Sequence, residues 1–310
     1  MLEISLIVPV KNEALYIKIF ILEVLKMRVL PGEIIFVDAG STDESSQIIN
    51  SFKINFLDRG IKFQLLFLPG AYPGGARNLG IQRSYYSWIC FLDIGVFPED
   101  NWLEYLWADM NFYNSNIVFG QCRFNSEHFI GKITCALSYG VNKISPVLPA
   151  SIVHKKVFDK TGYFDEKLRS AEDILWKRSI RKNKIKYYES KKATVNYLFF
   201  PNSILKIIKK WFVYAKYESI AYVTPLPKKI LYFFFLVISF IMFIDFFSGL
   251  IFFAIYLLLR GLFDPWRRSM CKKWWSTWPQ FIAAPFFALA IDLSSMFGYI
   301  YGKYLSYFKG

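Results

Sequence analysis

The sequence predicts an α/β domain with a mostly parallel sheet, followed by a helical region with membrane character. Over the first 200 residues, short β-branched runs alternate with longer mixed segments, which is the pattern of strands and crossover helices. Beyond that point, apolar residues concentrate in long runs, in a chain of 310 residues that is 54% hydrophobic and 20% aromatic. That composition excludes an ordinary soluble protein of this length, intrinsic disorder and collagen-like repeats.

The predicted strands and helices alternate along the first region. Strand 5–10 is a continuous apolar run, as expected when helices cover both faces of a sheet. The other predicted strands are 34–38, 63–68, 88–93 and 117–122. The predicted helices are 14–27, 41–51, 74–83 and 172–182. We therefore expect a Rossmann-like sheet in a domain over residues 1–200.

Positive charge is concentrated in the last third of the chain. The whole sequence has 38 basic and 24 acidic residues, a net charge of +14, and residues from 201 onward hold 13 basic residues against four acids, which is +9 of that total. This excess lies beside apolar segments rather than on a recognisable reading element, so nucleic acid is a disfavoured partner. An anionic membrane and a phosphate-bearing ligand are the expected partners.

Residues 201–229 are predicted to form an amphipathic interfacial helix and a linker. Within 202–218, lysines lie opposite an apolar stripe with helical spacing. The stripe comprises Ile204, Ile207, Ile208, Trp211, Phe212 and Ala215. Such a helix suits an anionic membrane surface, and docking on the sheet explains the periodicity equally well. Its position just before a long apolar run favours the interface.

Residues 230–310 are predicted to form a transmembrane region. The run 230–259 would be about 45 Å long as one helix, against about 30 Å for a hydrocarbon core. Asp245 in mid-run and basic flanks at both ends favour a hairpin, and a single tilted span is the alternative. A further segment, 281–301, carries only Asp292, which we expect to be buried against the hairpin rather than functional. No secretory signal is recognisable, so the first domain is expected to face the cytoplasm.

Candidate ligand-binding residues follow the predicted strands, because ligands of open α/β sheets bind beyond the carboxyl ends of the strands. Strand one runs into Pro9 and Glu13, and strand two ends at Asp38. A carboxylate that ends a buried strand can accept hydrogen bonds from a ribose or a base. The following Ser41, Thr42 and Asp43 are equally well explained as caps of the next helix.

Two further segments carry candidate ligand-binding residues. Segment 74–80 is a glycine-rich helix start that contains Arg77, which suits a diphosphate, and strand four delivers Asp93 to the same edge. Glu172 and Asp173 open a basic helix. These two acids are explained either by the helix dipole or as a general base held near the sugar nucleotide.

This ordered set of motifs resembles family 2 glycosyltransferases with a GT-A fold, over roughly residues 3–200. The motifs are Ile7-Val8-Pro9-Val10-Lys11-Asn12-Glu13, Val37-Asp38-Ala39-Gly40-Ser41-Thr42-Asp43, Gly75-Ala76-Arg77-Asn78-Leu79-Gly80, Phe91-Leu92-Asp93 and Glu172-Asp173. Five motifs in the family's order are far more specific than any one of them.

The resemblance implies an inverting transfer of a sugar from a nucleotide-diphosphate donor. It implies that Pro9, Glu13 and Asp38 line the nucleoside, that Arg77 lies near it and that Asp93 approaches the diphosphate. Asp173 would be the base that deprotonates an acceptor hydroxyl, and Glu172 would orient the acceptor.

Two departures from the family pattern weaken the case for a metal cofactor. Gly95 stands where the second acid of Asp-x-Asp is usual, and Asn196 stands where many relatives have a histidine. Asp93 together with the donor diphosphate could still hold Mg²⁺ or Mn²⁺. Our hypothesis is that metal dependence is weak and that Arg77 and Lys11 share the charge stabilisation of the leaving diphosphate.

The predicted function is transfer to a lipid-linked saccharide in cell-surface polysaccharide or glycolipid synthesis. A multi-pass anchor in the cytoplasmic membrane would hold the enzyme where such acceptors lie. Polyprenyl phosphate itself is an alternative acceptor. A non-catalytic membrane scaffold that binds nucleotide sugar is an alternative from a different class of proteins.

Overall fold

The computed structural model describes residues 1–272 and 278–308, and the chain divides by contacts into two units. The first unit comprises Met1–Arg123 and Ile144–Tyr197, and the second comprises Phe124–Lys143 and Leu198–Gly310. The sequence places a domain boundary near residue 200. In the structure an earlier segment, Phe124–Lys143, also belongs to the second unit.

The first unit is built on one mixed sheet whose order is β3-β2-β1-β4-β8-β6-β9-β5, with β7 paired to β6. Its strands are β1 (Leu2–Val10), β2 (Pro31–Asp38), β3 (Lys62–Phe67), β4 (Trp88–Phe91), β5 (Val96–Pro98), β6 (Ile117–Phe124), β7 (Ile144–Pro146), β8 (Ile152–His154) and β9 (Tyr188–Tyr197). The predicted strands are confirmed, and of the antiparallel half formed by β5 to β9 only β6 was predicted.

Strands β1 to β4 pair in parallel, which brings their carboxyl ends to one edge. In this register Pro9 pairs with Val37, and Val10 pairs with Asp38. Every residue of β2 is buried, as the continuous apolar runs predict for strands covered on both faces. The loops that follow β1, β2 and β4 therefore leave the sheet at the same edge.

Helices cover the sheet of the first unit. They are α1 (Ala14–Lys26), α2 (Ser45–Ser51), α3 (Lys53–Leu57), α4 (Pro73–Arg83), α5 (Trp102–Tyr113), α7 (Lys156–Thr161) and α8 (Glu172–Lys182). Helix α6 (Phe129–Ser138), between α5 and α7 in the sequence, belongs to the second unit. Helix α8 is seated through Trp176, which is 2% exposed and packs in one core cluster with Ile7, Phe91 and Phe119. Burial of these side chains holds the start of α8 in place.

The second unit is helical. It contains α6 and then α9 (Ile204–Ile220), α10 (Leu226–Ile244), α11 (Phe246–Leu258), a π-helical turn (Leu259–Phe263), α12 (Asp264–Arg268) and α13 (Trp278–Phe308). Three helical stretches are long and apolar enough to cross a membrane: Leu226–Ile244, Phe246–Arg268 and Trp278–Phe308. The predicted apolar segments are thus helices of spanning length.

The run 230–259 forms a helical hairpin rather than one span. Asp245 ends α10, and its carboxylate caps α11 by accepting the backbone N–H of Phe247 at 3.1 Å. Phe235 of α10 packs on Tyr256 of α11 with ring centroids 4.9 Å apart, so the two arms lie side by side.

Helix α9 buries its apolar stripe against α13. Ile207 and Trp211 share a cluster with Ala284 and Ala288, and residues of α6 complete it. The backbone of α9 also passes directly against Gly298 of α13, where a side chain would not fit. The amphipathic helix is confirmed as a helix, and its location at a membrane surface stays a prediction. Because α6 packs in this cluster, the segment Phe124–Lys143 belongs to the second unit.

Candidate active site

Asp38 shapes the loop that follows β2. It is 2% exposed, and its Oδ1 accepts the backbone N–H groups of Gly40 at 2.9 Å and Ser41 at 2.7 Å. Its Oδ2 accepts the Ser46 hydroxyl. Gly40 has a φ of 87°, which suits glycine in this tight turn. The chain therefore already engages both oxygens of Asp38, and contact with a nucleoside stays a prediction.

The loop after β1 is braced by the loop after β2. Asn12, with a φ of 56°, donates its backbone N–H to Ser41 Oγ at 2.9 Å, and its Oδ1 accepts the backbone N–H of Thr42 at 2.8 Å. Asp43 Oδ2 accepts the backbone N–H of Ala14, in the first turn of α1, at 3.1 Å. Ser41 and Thr42 thus join the two loops, whereas Asp43 Oδ1 also accepts the backbone N–H of Ser45, the first residue of α2, at 3.0 Å. Helix α2 begins four residues later than predicted.

Glu13 and Lys11 place opposite charges in this braced loop. Burial, together with the nearby carboxylates of Asp93 and Asp43, raises the pKa of Glu13 to about 7. Lys11 is exposed along much of its side chain, and its Nζ donates to the Ala39 carbonyl oxygen at 2.9 Å. The edge of the sheet therefore presents a cation beside a carboxyl group that titrates near neutrality.

Arg77 joins two of the motifs through its guanidinium group. It is 3% exposed, and its Nη2 donates to Asp93 Oδ1 and its Nη1 to Glu172 Oε1, both at 2.7 Å. Burial by itself lowers the pKa of Arg77, but the two carboxylates outweigh it and raise that pKa, so the group stays charged. The structure thus brings together Arg77, Asp93 and Glu172, which are far apart in sequence.

The glycine-rich start of α4 is packed into the protein. A Cβ atom on Gly74 would lie 2.7 Å from the Asp165 carbonyl oxygen, so only glycine permits this approach. Asn78 holds the same loop, because its Nδ2 donates to the Phe164 carbonyl oxygen at 2.9 Å and its Oδ1 accepts the Phe164 N–H at 3.0 Å. The sequence suggested exposed amides for a diphosphate, whereas the structure shows a close contact that positions Arg77.

Glu172 and Asp173 begin α8 after a strained residue. Ala171 has a φ of 73°, which a residue with a Cβ rarely adopts, and strain of this kind concentrates at functional sites. Burial raises the pKa of Glu172, and Arg77 opposes that rise. Within the described residues, Glu172 Oε2 is buried without a hydrogen-bond partner. Asp173, the next residue, is half-buried. The start of α8 therefore holds a buried carboxylate oxygen without a hydrogen-bond partner beside a carboxylate that solvent reaches.

Residues 5–142 match the model of the family described as Glycosyl transferase family 2. Residues 5–142, less than half of the chain, are thus similar to this family. An uncharacterized glycosyltransferase of Haemophilus influenzae is 36% identical over 114 residues, which cover 36% of this chain and 43% of that protein. The glycosyltransferase GlyG of Streptococcus pneumoniae is 29% identical over 120 residues, 38% of each protein. The matches thus span less than half of the length of these relatives.

A solved structure supports a GT-A fold for this chain. The crystal structure of S. aureus TarS 1–349 in complex with UDP-GlcNAc has a TM-score of 0.51 and 16% sequence identity. That likeness covers 98% of this chain and 91% of the solved chain. At this level of identity it is the fold that is shared.

The carboxylates at this edge of the sheet do not form a protein-held metal site. Gly95 has a φ of 92°, so an acid at this position, as in Asp-x-Asp, would be strained. Asp93 Oδ1 is already paired with Arg77. Across residues 1–272 and 278–308, no three His, Cys, Asp or Glu side chains stand together as a ligand set for a cation. The side chains present therefore do not fit a resident divalent cation.

Asn196, at the position of the histidine of many relatives, has a cationic neighbour. It lies on β9 opposite Phe97 of β5, and its Oδ1 accepts from Arg123 Nη1 at 3.3 Å. The same Nη1 donates to Glu99 Oε1 at 2.9 Å. A guanidinium group next to this amide opposes the binding of a metal cation there.

Two features of the site escaped sequence reasoning. Asn12 and Ala171 adopt left-handed backbone conformations immediately before Glu13 and Glu172. An asparagine in a loop is a weak signal for such a conformation, and an alanine gives none, because the strain is imposed by tertiary contacts. The burial of Arg77 was also missed, since a charged residue near a glycine pair is ordinarily expected at the surface.

Proposed function

We propose that this protein is an inverting glycosyltransferase of the hexosyl-transfer type, which moves a sugar from a nucleotide-diphosphate donor to a lipid-linked saccharide. The chain of contacts from Asp93 through Arg77 to Glu172, next to Asp173, carries this proposal. It links the strand ends, where a donor binds in this class of sheet, to the start of α8. A link of this kind can hold the donor and acceptor groups in register.

In the proposed reaction, Asp173 accepts the proton of an acceptor hydroxyl as its oxygen attacks the anomeric carbon. The bond from that carbon to the diphosphate oxygen breaks, the nucleotide diphosphate leaves with the electron pair, and in-line attack inverts the anomeric centre. Glu172 orients the acceptor through its open Oε2. Pro9, Glu13 and Asp38 line the nucleoside, with Asp38 acting mainly by holding its loop.

We further propose that Lys11 provides the cation that meets the diphosphate. Arg77 is enclosed by its two carboxylates, so it positions Asp93 and Glu172 rather than contacting the donor. Lys11 lies at the exposed edge and can stabilise charge that develops on the leaving group. We expect transfer to persist in EDTA and to fall strongly in Lys11→Met. Complete loss in EDTA with recovery on adding Mg²⁺ or Mn²⁺ would contradict this role.

The proposed location is the cytoplasmic face of the inner membrane, with several helices crossing it. Among the described residues, three helical stretches have the required length and apolar character, and the last third of the chain carries most of the net positive charge. Basic residues that flank apolar helices favour the cytoplasmic side. The acceptor would then be a lipid-linked saccharide used for cell-surface polysaccharide or glycolipid, and polyprenyl phosphate is the alternative acceptor.

The test is a transfer assay with membranes that contain the full chain. A panel of radiolabelled nucleotide sugars is supplied, with UDP-GlcNAc first because TarS of the same fold was solved with it. We expect label from one donor to enter an organic-extractable lipid. Mild acid release of a saccharide longer than the donor sugar identifies a lipid-linked saccharide acceptor, whereas release of a single sugar identifies polyprenyl phosphate. No labelled lipid with any donor would contradict the proposal.

A further inference from the structure

The second unit contains a cavity of about 460 Å³ between α6, α9, α10, α12, α13 and the π-helical turn. Its wall combines three cationic side chains with two carboxylates. These are Lys228, Arg260, Arg268, Glu218 and Asp292. The Arg260, Glu218 and Asp292 side chains are at most 16% exposed. Ionisable groups enclosed among apolar helices are costly, and in a membrane region they mark functional sites.

The cluster around the cavity contains more positive than negative groups. Asp264 receives three guanidinium groups: Arg260 at 3.3 Å, Arg267 at 3.1 Å and Arg268 at 2.8 Å. Among the side chains that line the cavity, Lys228, Arg260 and Arg268 are three cations, whereas Glu218 and Asp292 are two carboxylates. The surplus is one positive charge, so the cavity wall favours an anion over a neutral or cationic ligand.

The cationic part of the wall lies at the open end of the helical hairpin. Lys228 is in the first turn of α10, which runs about 28 Å to the turn at Asp245. Because Phe235 packs on Tyr256, α11 returns alongside α10 and brings Arg260 back level with that first turn. Basic residues at the ends of spanning helices lie at the depth of lipid phosphate groups.

Apolar side chains line part of the cavity, and α10 carries further apolar side chains on its exposed face. Leu231 and the indole of Trp211 line the cavity. Further along α10, Phe233, Leu236 and Phe240 point outward and are 61–66% exposed. A soluble anion would leave this apolar surface unused, whereas a hydrocarbon chain would cover it.

We propose that the cavity binds the phosphate-bearing head of a lipid, with the hydrocarbon chain lying along α10. All three cations are paired, Lys228 with Glu218, Arg268 with Asp264 and Arg260 with Asp292. Lys228 and Arg268 are the side chains that meet the phosphate, because they are 38% and 35% exposed, whereas Arg260 is 16% exposed. The cavity volume suits such a head group. The inference rests on the membrane association proposed above and adds to it a ligand and a binding site.

The experiment measures binding of radiolabelled polyprenyl phosphate to the full-length protein in detergent micelles. Two neighbouring pairs provide matched variants: Lys228→Gln with Lys229→Gln, and Arg268→Gln with Arg267→Gln. Lys229 and Arg267 are adjacent cations that do not line the cavity. We expect the first member of each pair to raise Kd by about tenfold or more. The second member should change Kd by less than about twofold.

Comparison ligands identify the chemistry of the head. Polyprenol without phosphate should bind at least about tenfold more weakly than polyprenyl phosphate. Phosphatidylglycerol competing for the site would support a lipid phosphate, whereas displacement by inorganic phosphate alone would overturn the lipid assignment. Equal binding of polyprenol, or equal weakening by all four variants, would overturn the proposal.

Thermal melting of each variant shows whether the second unit is intact. If Arg268→Gln unfolds, the Lys228 and Lys229 pair decides the outcome, because the Lys228 contact to Glu218 is half-exposed. The binding experiment contains no sugar donor. If polyprenyl phosphate does not bind, the lipid site is ruled out, and the proposed sugar transfer is still tested separately by the transfer assay. Conversely, lipid binding without any transfer would count against the proposed enzyme and not against this site.

Discussion

Each unit of the protein buries an arginine between two carboxylates, and the first of these clusters is incomplete. Arg77 pairs with Asp93 and Glu172, yet Glu172 Oε2 has no partner among the described residues, and the Asp93 side chain is 37% exposed. An unsatisfied buried oxygen costs free energy unless something else uses it. The open oxygen and the exposed carboxylate are what a substrate-binding edge requires.

The cluster in the second unit is saturated around its carboxylate. Asp292 accepts from Tyr256 Oη at 3.0 Å and from Arg260 at 2.8 and 3.1 Å, while Asp264 takes a further Arg260 contact. This confirms the prediction that Asp292 is buried against the hairpin. The difference is that the Arg77 cluster leaves a carboxylate oxygen unpaired, whereas the oxygens of Asp292 are all engaged.

The largest expected effect comes from breaking the saturated cluster. Arg260→Gln leaves Asp292 buried without a cation, which should destabilise the second unit by about 3–5 kcal/mol. Thermal melting of the full chain in detergent measures the loss. The neighbouring Arg267→Gln is the control, because that side chain is 65% exposed and should cost less than about 1 kcal/mol. Equal melting temperatures for Arg260→Gln and wild type would show that the pairing is not structural.

A change in the cluster of Arg77, Asp93 and Glu172 should lower the rate of sugar transfer more than it lowers stability. Arg77→Lys keeps the positive charge but cannot pair with both carboxylates in the fork geometry of a guanidinium. Misplacement of Glu172 and Asp93 should lower kcat by about 100-fold, with the KM for the donor close to wild type.

Steady-state kinetics on detergent-solubilised protein separates these two constants. Arg59→Lys is the control, because Arg59 contacts only a nearby backbone oxygen, of Asn55, among the hydrogen bonds described, and kcat should be unchanged. If Arg77→Lys raises the donor KM and leaves kcat intact, Arg77 binds the donor and is not a positioning residue.

The smallest expected effect is a pH dependence of stability in the first unit. The pKa of Glu13 is raised from its ordinary value of 4.5 to about 7, so the fold favours the neutral carboxyl. Stability from this group is therefore complete below about pH 4.5 and is lost as the pH rises through about 7. The melting temperature of wild type should fall more between these limits than that of Glu13→Gln. Exposed Glu44→Gln should behave like wild type, and parallel pH profiles for all three proteins would contradict the prediction.

The parallel half of the sheet and most site residues could be predicted because they lie in long, continuous signals. Strand β1 has nine residues, Asp38 is the last residue of β2, and Asp93 lies two residues beyond the end of β4. Apart from β6, the antiparallel half could not be predicted, since β5, β7 and β8 have three residues each and carry no measurable periodicity.

Tertiary contacts account for the remaining differences. Gly74 is required by the approach of the Asp165 carbonyl oxygen, which no local pattern reveals. Helix α6 has an apolar face that fits either unit, and its partners on α9 and α13 follow it in sequence by more than 65 residues. Such choices are decided by packing between distant segments.

The most direct test of the account is single-turnover transfer by Asp173→Asn. Loss of the general base should slow the appearance of labelled lipid by about 10²–10⁴-fold, while donor binding and the melting temperature stay at wild-type values. Asp159→Asn on the exposed face of α7 is the matched control and should transfer normally. A wild-type rate of transfer by Asp173→Asn would contradict the account. If neither the wild-type protein nor Asp173→Asn transfers sugar although both bind the donor, the protein is a nucleotide-sugar-binding scaffold.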